Sequence, residues 1–315
     1  VLIIRLDAIG DALALTPLLA ALQRAEIPVD VVLRRSNADV FASRAVRRIV
    51  VGEFELRSSG RPNIAAIDDL GLKLQPYRYS HVLVATEDPG GYRLAGATAA
   101  PVRIGFANAW GKPFKTLWTR RFLTDRIYRS AGLDPRGPHE CEVLFRLGAQ
   151  LVADEAPTRD PAQLRSLVLE REPAADDRIA VQITDKWERL GIPCEDVVEL
   201  VRRLAGFGQV RLLCAQAEAS YADAIAQSAA VDVERFDDLA SWKAAIGAAA
   251  AIVTPDSGAL HVAGMVGTPV VAVFPNTRDF ALAVARWAPW AAPHRIVQAG
   301  DRWPMRAIDA LAALL

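Results

Sequence analysis

The chain has 315 residues, 52% of them hydrophobic, which is enough for two cores rather than one. Lys plus Arg and Asp plus Glu each number 37, so no global charge favours nucleic acid as a partner. Three scattered cysteines without metal-ligand spacing predict buried thiols in a reducing compartment. No apolar run approaches the ~20 residues of a membrane span, and no basic stretch precedes the first apolar run, so no export signal is expected.

In chain order, residues 1–6 read as a buried strand, 11–23 as a helix and 29–33 as a strand. After 37–50 a polar loop interrupts the pattern. It resumes with a helix at 63–74, a strand at 81–85, a short helix at 91–97 and a strand at 102–104. Helices at 122–132 and 140–151 close this half. The stretch 156–176, with Pro157, Pro161 and Pro173 in or beside it, predicts a linker between a domain of 1–155 and one of 177–315. Strands at 179–183, 210–214 and 231–236 then alternate with helices at 195–204, 217–228 and 242–250. Residues 307–315 read as a final helix. Two alternating α/β halves predict two doubly wound, Rossmann-like parallel sheets facing across a cleft.

The most specific unit runs from Ile252 to Phe274. An apolar strand ends in Thr254-Pro255-Asp256-Ser257-Gly258, a short helix carries Ala259-Leu260-His261, and a second apolar strand follows. Free amides and the positive dipole end of such a helix favour an anion, a phosphate above all. Gly258 lets backbone approach a ligand. Near the start, Arg5-Leu6-Asp7-Ala8-Ile9-Gly10-Asp11 reads as strand, tight turn at Gly10, and helix from about Asp11. Asp11 is either a functional carboxylate at the rim of the sheet or an N-cap worth ~1 kcal/mol. One glycine where three are needed rules out a dinucleotide fingerprint.

Thr184-Asp185-Lys186-Trp187 follows the first strand of the second half. Lys186 can reach a phosphate as a flexible point charge, or be a solvated surface lysine. Trp187 is either buried or a stacking platform. Glu218 either accepts hydrogen bonds from a ribose or base, or merely begins a helix. Asp237-Asp238 suits helix capping better than metal binding. Residues 110–121, Trp-Gly-Lys-Pro-Phe-Lys-Thr-Leu-Trp-Thr-Arg-Arg, are basic and aromatic in a neutral chain. They form either an ordinary loop or a segment facing anionic headgroups.

Together these motifs resemble the bacterial glycosyltransferase family 9, best known for ADP-heptose:lipopolysaccharide heptosyltransferases. Lys186-Trp187, Arg103-Ile104-Gly105-Phe106 and His139-Glu140 extend the resemblance along the chain. It implies a GT-B fold with an N-terminal acceptor domain, a C-terminal nucleotide-sugar domain, and a last helix packing back on the first domain. It implies inverting transfer without metal or cofactor, from an ADP-linked sugar to a lipid-linked or glycan acceptor. Asp11 would be the general base. Thr184, Lys186, Glu218, Asp256, Ser257, Gly258 and His261 would bind the donor, with His261 among the groups facing the leaving diphosphate. Gly10, Lys112, Lys115 and Arg120 would lie on the acceptor side. The implied location is cytoplasmic, with peripheral contact at the anionic inner face of the membrane. Where members often carry Gly-Pro-Thr after the diphosphate unit, this chain has Pro275-Asn276-Thr277.

Overall fold

Strands such as Leu2-Ile3-Ile4 and Asp30-Val31-Val32-Leu33 are buried along their whole length, which suits a parallel sheet covered by helices on both faces. The computed structural model, which describes residues 1–52, 54, 63–108, 111–129 and 136–315, contains two such sheets. The chain divides into two units, Val1–Asp134 with Glu140–Thr158, and Pro135–His139 with Arg159–Leu315.

The first unit holds strands β1 (Leu2–Ile4), β2 (Asp30–Leu33), β3 (Arg48–Val51), β4 (His81–Val84), β5 (Val102–Ala107) and β6 (Asp125–Tyr128). They run parallel in the order β3-β2-β1-β4-β5-β6. Its helices are α1 (Ile9–Leu13), α2 (Thr16–Arg24), α3 (Ile64–Leu74), α4 (Pro89–Ala97), α5 (Pro113–Thr119) and α6 (Glu140–Gly148). Leu2, Ile4, Val32, Val82, Val84 and Tyr92 lie in one of its apolar clusters.

The second unit begins with α7 (Pro161–Val168), β7 (Asp176–Gln182), α8 (Lys186–Arg189), α9 (Cys194–Leu204), β8 (Val210–Ala215), α10 (Ala219–Ala229) and β9 (Asp232–Phe236). It continues with α11 (Leu239–Ala248), β10 (Ala249–Pro255), α12 (Gly258–Val266), β11 (Val270–Phe274), α13 (Phe280–Trp287), β12 (His294–Gln298) and α14 (Trp303–Ala312). The strands are again parallel, ordered β12-β11-β10-β7-β8-β9. Both sheets therefore wind in the same order, outward from a central pair of strands. At that pair, β1 beside β4 and β7 beside β10, the winding reverses. Open α/β sheets bind ligands at such a point, beyond the carboxyl ends of the strands.

Several expected elements differ. The helix expected at 11–23 is split into α1 and α2, with Pro17 at the start of α2 and the Thr16 hydroxyl donating to the Leu13 carbonyl (2.6 Å). Within 122–132, residues 125–128 form the edge strand β6 on β5, and 130–132 lie outside the described residues. An edge position tolerates the exposed Asp125 and Arg126. The basic stretch expected as a loop contains α5, started by Pro113. The expected linker contains α7, whose Leu164, Leu167 and Val168 are buried and which packs on α12. The last helix, α14, buries Trp303, Ala307 and Leu311 in the core of the second unit and packs on α9 and β12. Gly267, at φ +83°, ends α12 in the left-handed conformation that lets the chain turn into β11.

Candidate active site

In the second unit, the loops leaving β7 and β10 carry most of the residues singled out for donor binding. The Thr184 hydroxyl lies 3.2 Å from an Asp185 carboxylate oxygen, and Lys186 opens α8. The Lys186 ammonium donates to the backbone carbonyl of Asp256, joining the two loops across the reversal point. Ser257 is the N-cap of α12, yet its hydroxyl lies 3.0 Å from that of Thr254 and makes no capping bond. No N-cap side chain therefore covers the first-turn amides of Gly258, Ala259 and Leu260. The positive end of α12 presents them next to the carbonyl that holds Lys186.

His261 is the fourth residue of α12, with its ring edge-on to Trp287 at 5.6 Å. Burial, together with the nearby charges of His139 and Lys186, pushes its imidazole down to about 3. It is therefore neutral near pH 7. Glu218 ends the turn after β8 and stands at the N-cap of α10 without capping it. One of its carboxylate oxygens is buried without a hydrogen-bond partner. Leaving such an atom unpaired costs ~1–3 kcal/mol, which a ligand hydroxyl or amide would offset.

Trp187 is no platform. It is fully buried, stacks on Trp303 at 5.4 Å, and its indole donates to the Gln182 carbonyl (2.8 Å). Asp238 caps α11, accepting from the Ser241 amide (2.7 Å) and hydroxyl (2.9 Å).

In the first unit, the corresponding reversal point is organised around Arg5, which is only 2% exposed. Its Nη2 lies 2.9 Å from Asp11 Oδ1, and its Nε donates to the Asp11 carbonyl at 3.0 Å. Nη1 donates to the Ala85 carbonyl at the end of β4. Asp7 Oδ2 lies 3.4 Å from Nε, and Glu140 Oε1 3.6 Å from Nη2. Ala8, not Asp11, is the N-cap of α1. Asp11 sits in the first turn, its Oδ2 accepting from the Ala8 amide at 3.2 Å. Gly10 is buried inside that turn, so the sharp turn expected at this residue lies before it. Asp11 is partly exposed at the sheet rim, its side chain 29% accessible.

Arg5, Asp7 and Glu140 were assigned no role from sequence. An arginine closing an otherwise apolar strand was a signal, but its partner on α6 is remote in sequence. Glu140 is held by Arg129 at 2.8 Å, and burial pushes its carboxyl above the ordinary value despite Arg129 and Arg5.

Lys112 and Lys115 converge on Glu87, at 3.3 and 2.9 Å, with Arg129 at 3.8 Å. Burial alone would raise the Glu87 carboxyl. The hydrogen bond from Lys115 and the surrounding cations outweigh it and hold that carboxyl below its ordinary value. Arg120 stands apart from this cluster. With Leu117, Arg126 and Tyr128 it lines a groove of about 820 Å³ between α5 and β6. Phe114 and Leu117 on α5 are 88% and 62% exposed.

A family model described as glycosyltransferase family 9 (heptosyltransferase) matches residues 153–313. Among solved structures, a glycosyl transferase family 9 protein from Veillonella parvula is similar at TM-score 0.76 and 16% identity, covering 99% of this chain and 96% of that one. E. coli heptosyltransferase WaaC with ADP is similar at TM-score 0.73 and 19% identity, covering 99% and 98%. E. coli ADP-heptose lps heptosyltransferase II follows at TM-score 0.72 and 21% identity, covering 99% and 97%. These likenesses show the fold, which is of the GT-B type. No curated protein sequence matches the chain.

Proposed function

The chain belongs to glycosyltransferase family 9, and from that premise we propose that it moves a heptose from ADP-heptose onto a hydroxyl of lipopolysaccharide core or a related glycan, with inversion and without metal. The observation that carries this reading is the content of the two reversal points. One holds a partly exposed carboxylate, Asp11, and the other holds Lys186 beside an uncapped helix start. The E. coli WaaC structures hold ADP and ADP-2-deoxy-2-fluoro heptose, which supports the same donor here.

In this mechanism Asp11 takes the proton of the acceptor hydroxyl. The hydroxyl oxygen bonds to the anomeric carbon as the bond to the diphosphate breaks, and the electron pair leaves on the diphosphate. Lys186 and the α12 amides stabilise that charge. An ammonium has three donors, so the bond to the Asp256 carbonyl leaves two for phosphate oxygens. Asp256 and Ser257 hold this arrangement, and Gly258 admits the phosphates against backbone. Thr184 and neutral His261 add hydrogen bonds, and the unpaired oxygen of Glu218 takes a ribose hydroxyl or base amine.

Acceptor binding falls to the first unit, on the side of Gly10, Lys112, Lys115 and Arg120. The outward Phe114 and Leu117, next to these cations, support peripheral contact with an anionic membrane bearing a lipid-linked acceptor. No described helix is long and apolar enough to cross a membrane.

Isothermal titration of Lys186→Ala tests the donor assignment. Affinity for ADP-heptose should fall by tenfold or more, about the worth of a hydrogen bond to a charged group, while affinity for adenosine stays near wild type. Equal loss for both ligands would remove Lys186 from the diphosphate site.

A further inference from the structure

Two arginines of the first unit stand outside its ion-pair network. Lys112 and Lys115 are paired with Glu87, and Arg129 with Glu140 and Glu87. Arg120 and Arg126 are exposed and have no ion pair or side-chain hydrogen bond among the described residues. Both line the groove of about 820 Å³ between α5 and β6. That volume falls within the roughly 300–1,000 Å³ of small-molecule sites.

We propose that this groove binds the phosphate headgroup of an anionic bilayer lipid, with Arg120 and Arg126 on the phosphate oxygens and Pro113 and Leu117 along the glycerol and first methylenes. This rests on the reading of α5 as the face turned to the membrane, and it makes that contact selective for a lipid phosphate.

The groove has the two-sided chemistry of an amphiphile. Pro113, Leu117 and the C-cap Arg120 recur at helical spacing, so they share one face of α5. Arg126 and Tyr128, two apart, share one face of β6. Each wall therefore carries one guanidinium beside an apolar or aromatic group. The α5 segment leaves the carboxyl end of β5 and returns the chain to the amino end of β6. Arg120 thus stands at the start of β6, with Pro113 and Tyr128 toward the other end of the groove. Among the lining residues Asp125 is the one carboxylate, and one of its oxygens accepts from the Thr124 hydroxyl (2.9 Å). Two cations against one carboxylate leave the groove positive. An arginine fork suits phosphate because it donates two parallel hydrogen bonds.

The apolar neighbours select a lipid over a soluble anion. Phe114 and Leu117, both exposed, stand three residues apart on α5, and a hydrocarbon phase removes the cost of leaving such side chains in water. Exposed Tyr128 sets an amphipathic ring on the opposite wall, a residue type that belongs at the level of lipid headgroups. Arg121, exposed and without an ion pair among the described residues, adds positive charge next to Arg120.

The test is isothermal titration with dihexanoyl phosphatidylglycerol below its micelle concentration, beside sedimentation with phosphatidylglycerol vesicles. Wild type should bind the monomeric lipid. The double variant Arg120→Gln/Arg126→Gln should bind it about tenfold or more weakly, through the loss of charge-assisted hydrogen bonds. Its melting temperature should match wild type, because neither guanidinium has a partner to lose. Inorganic phosphate should bind wild type about tenfold or more weakly than the lipid does, and a deacylated core oligosaccharide should not displace the lipid. Unchanged lipid affinity in the double variant overturns the proposal. So does wild type that sediments with vesicles but ignores the monomeric lipid, a result that leaves the α5 contact standing. Phosphate binding as well as the lipid would make this a free-anion site, and displacement by the oligosaccharide would make it an acceptor subsite; either overturns the assignment. Wild type that binds the monomer but does not sediment with vesicles would sink the membrane reading, and the bilayer lipid with it.

Discussion

Asp11 is engaged twice before any acceptor arrives, by Arg5 on Oδ1 and by the Ala8 amide on Oδ2. Asparagine keeps the shape but can accept through only one of those atoms. Its NH₂ group must face either the guanidinium or the amide, both donors. Asp11→Asn should therefore lose ~1 kcal/mol of stability, seen in thermal unfolding. Turnover should drop by ~10²–10⁴ while donor affinity holds. A variant keeping more than about a tenth of wild-type turnover would contradict the base assignment. His261 makes a separate prediction. Its ordinary value of 6.5 falls to about 3 in the fold, so the folded chain binds less proton than the unfolded one between those values. The sign follows: this contribution is complete above about pH 6.5 and is lost as pH falls toward 3. His261→Gln should flatten the fall of melting temperature with acid over that window. An unchanged slope would mean that the imbalance lies in other groups. Asp11, Lys186 and the 256–258 turn were legible from sequence because each follows an apolar strand, where an α/β sheet exposes its ligand rim. The cluster of Arg5, Asp7 and Glu140 was not, because its partners are joined by folding rather than by spacing. Trp187 was open to misreading for the same reason, since its cover, Trp303, comes from α14.

Apolar runs marked the strands that are buried on both faces, as in β1, β2, β10 and β11, although β10 takes in Ala249 and Ala250, which read as the end of a helix. They failed where burial is slight. Strand β6 exposes Asp125, Arg126 and Tyr128, and its pairing with β5 supplies order that its side chains do not. Helix α5 is short and carries its apolar residues on two sides. Trp118 packs against Tyr92 and Phe122, while Phe114 and Leu117 point outward. That outward pair leads to a prediction at this scale. Replacing both with serine should weaken sedimentation with phosphatidylglycerol vesicles by about tenfold or more, because each apolar side chain contributes ~1.5–3 kcal/mol when fully buried. Affinity for ADP-heptose should not change. Undiminished vesicle binding would place the membrane contact elsewhere or remove it.

At the scale of the molecule, two sheets of the same winding order arise from halves with no visible sequence repeat. Alternation of buried strands and amphipathic helices dictates the architecture, and many sequences satisfy that alternation equally well. The reversal points lie at equivalent rims, with the Asp11 carboxylate at one and, at the other, Lys186 and the α12 start that are proposed to bind phosphate. The central claim is that these two sets of groups perform an inverting transfer in which Lys186 and the α12 amides carry the leaving-group charge without a metal. The most direct measurement is ¹H NMR of the product formed from ADP-heptose and a deacylated core oligosaccharide in excess EDTA, with ADP release followed in the same tube. The account predicts a new glycosidic bond of opposite anomeric configuration to the donor, with one ADP released per bond. Retained configuration, or release that stops in EDTA and returns on adding Mg²⁺, would contradict it.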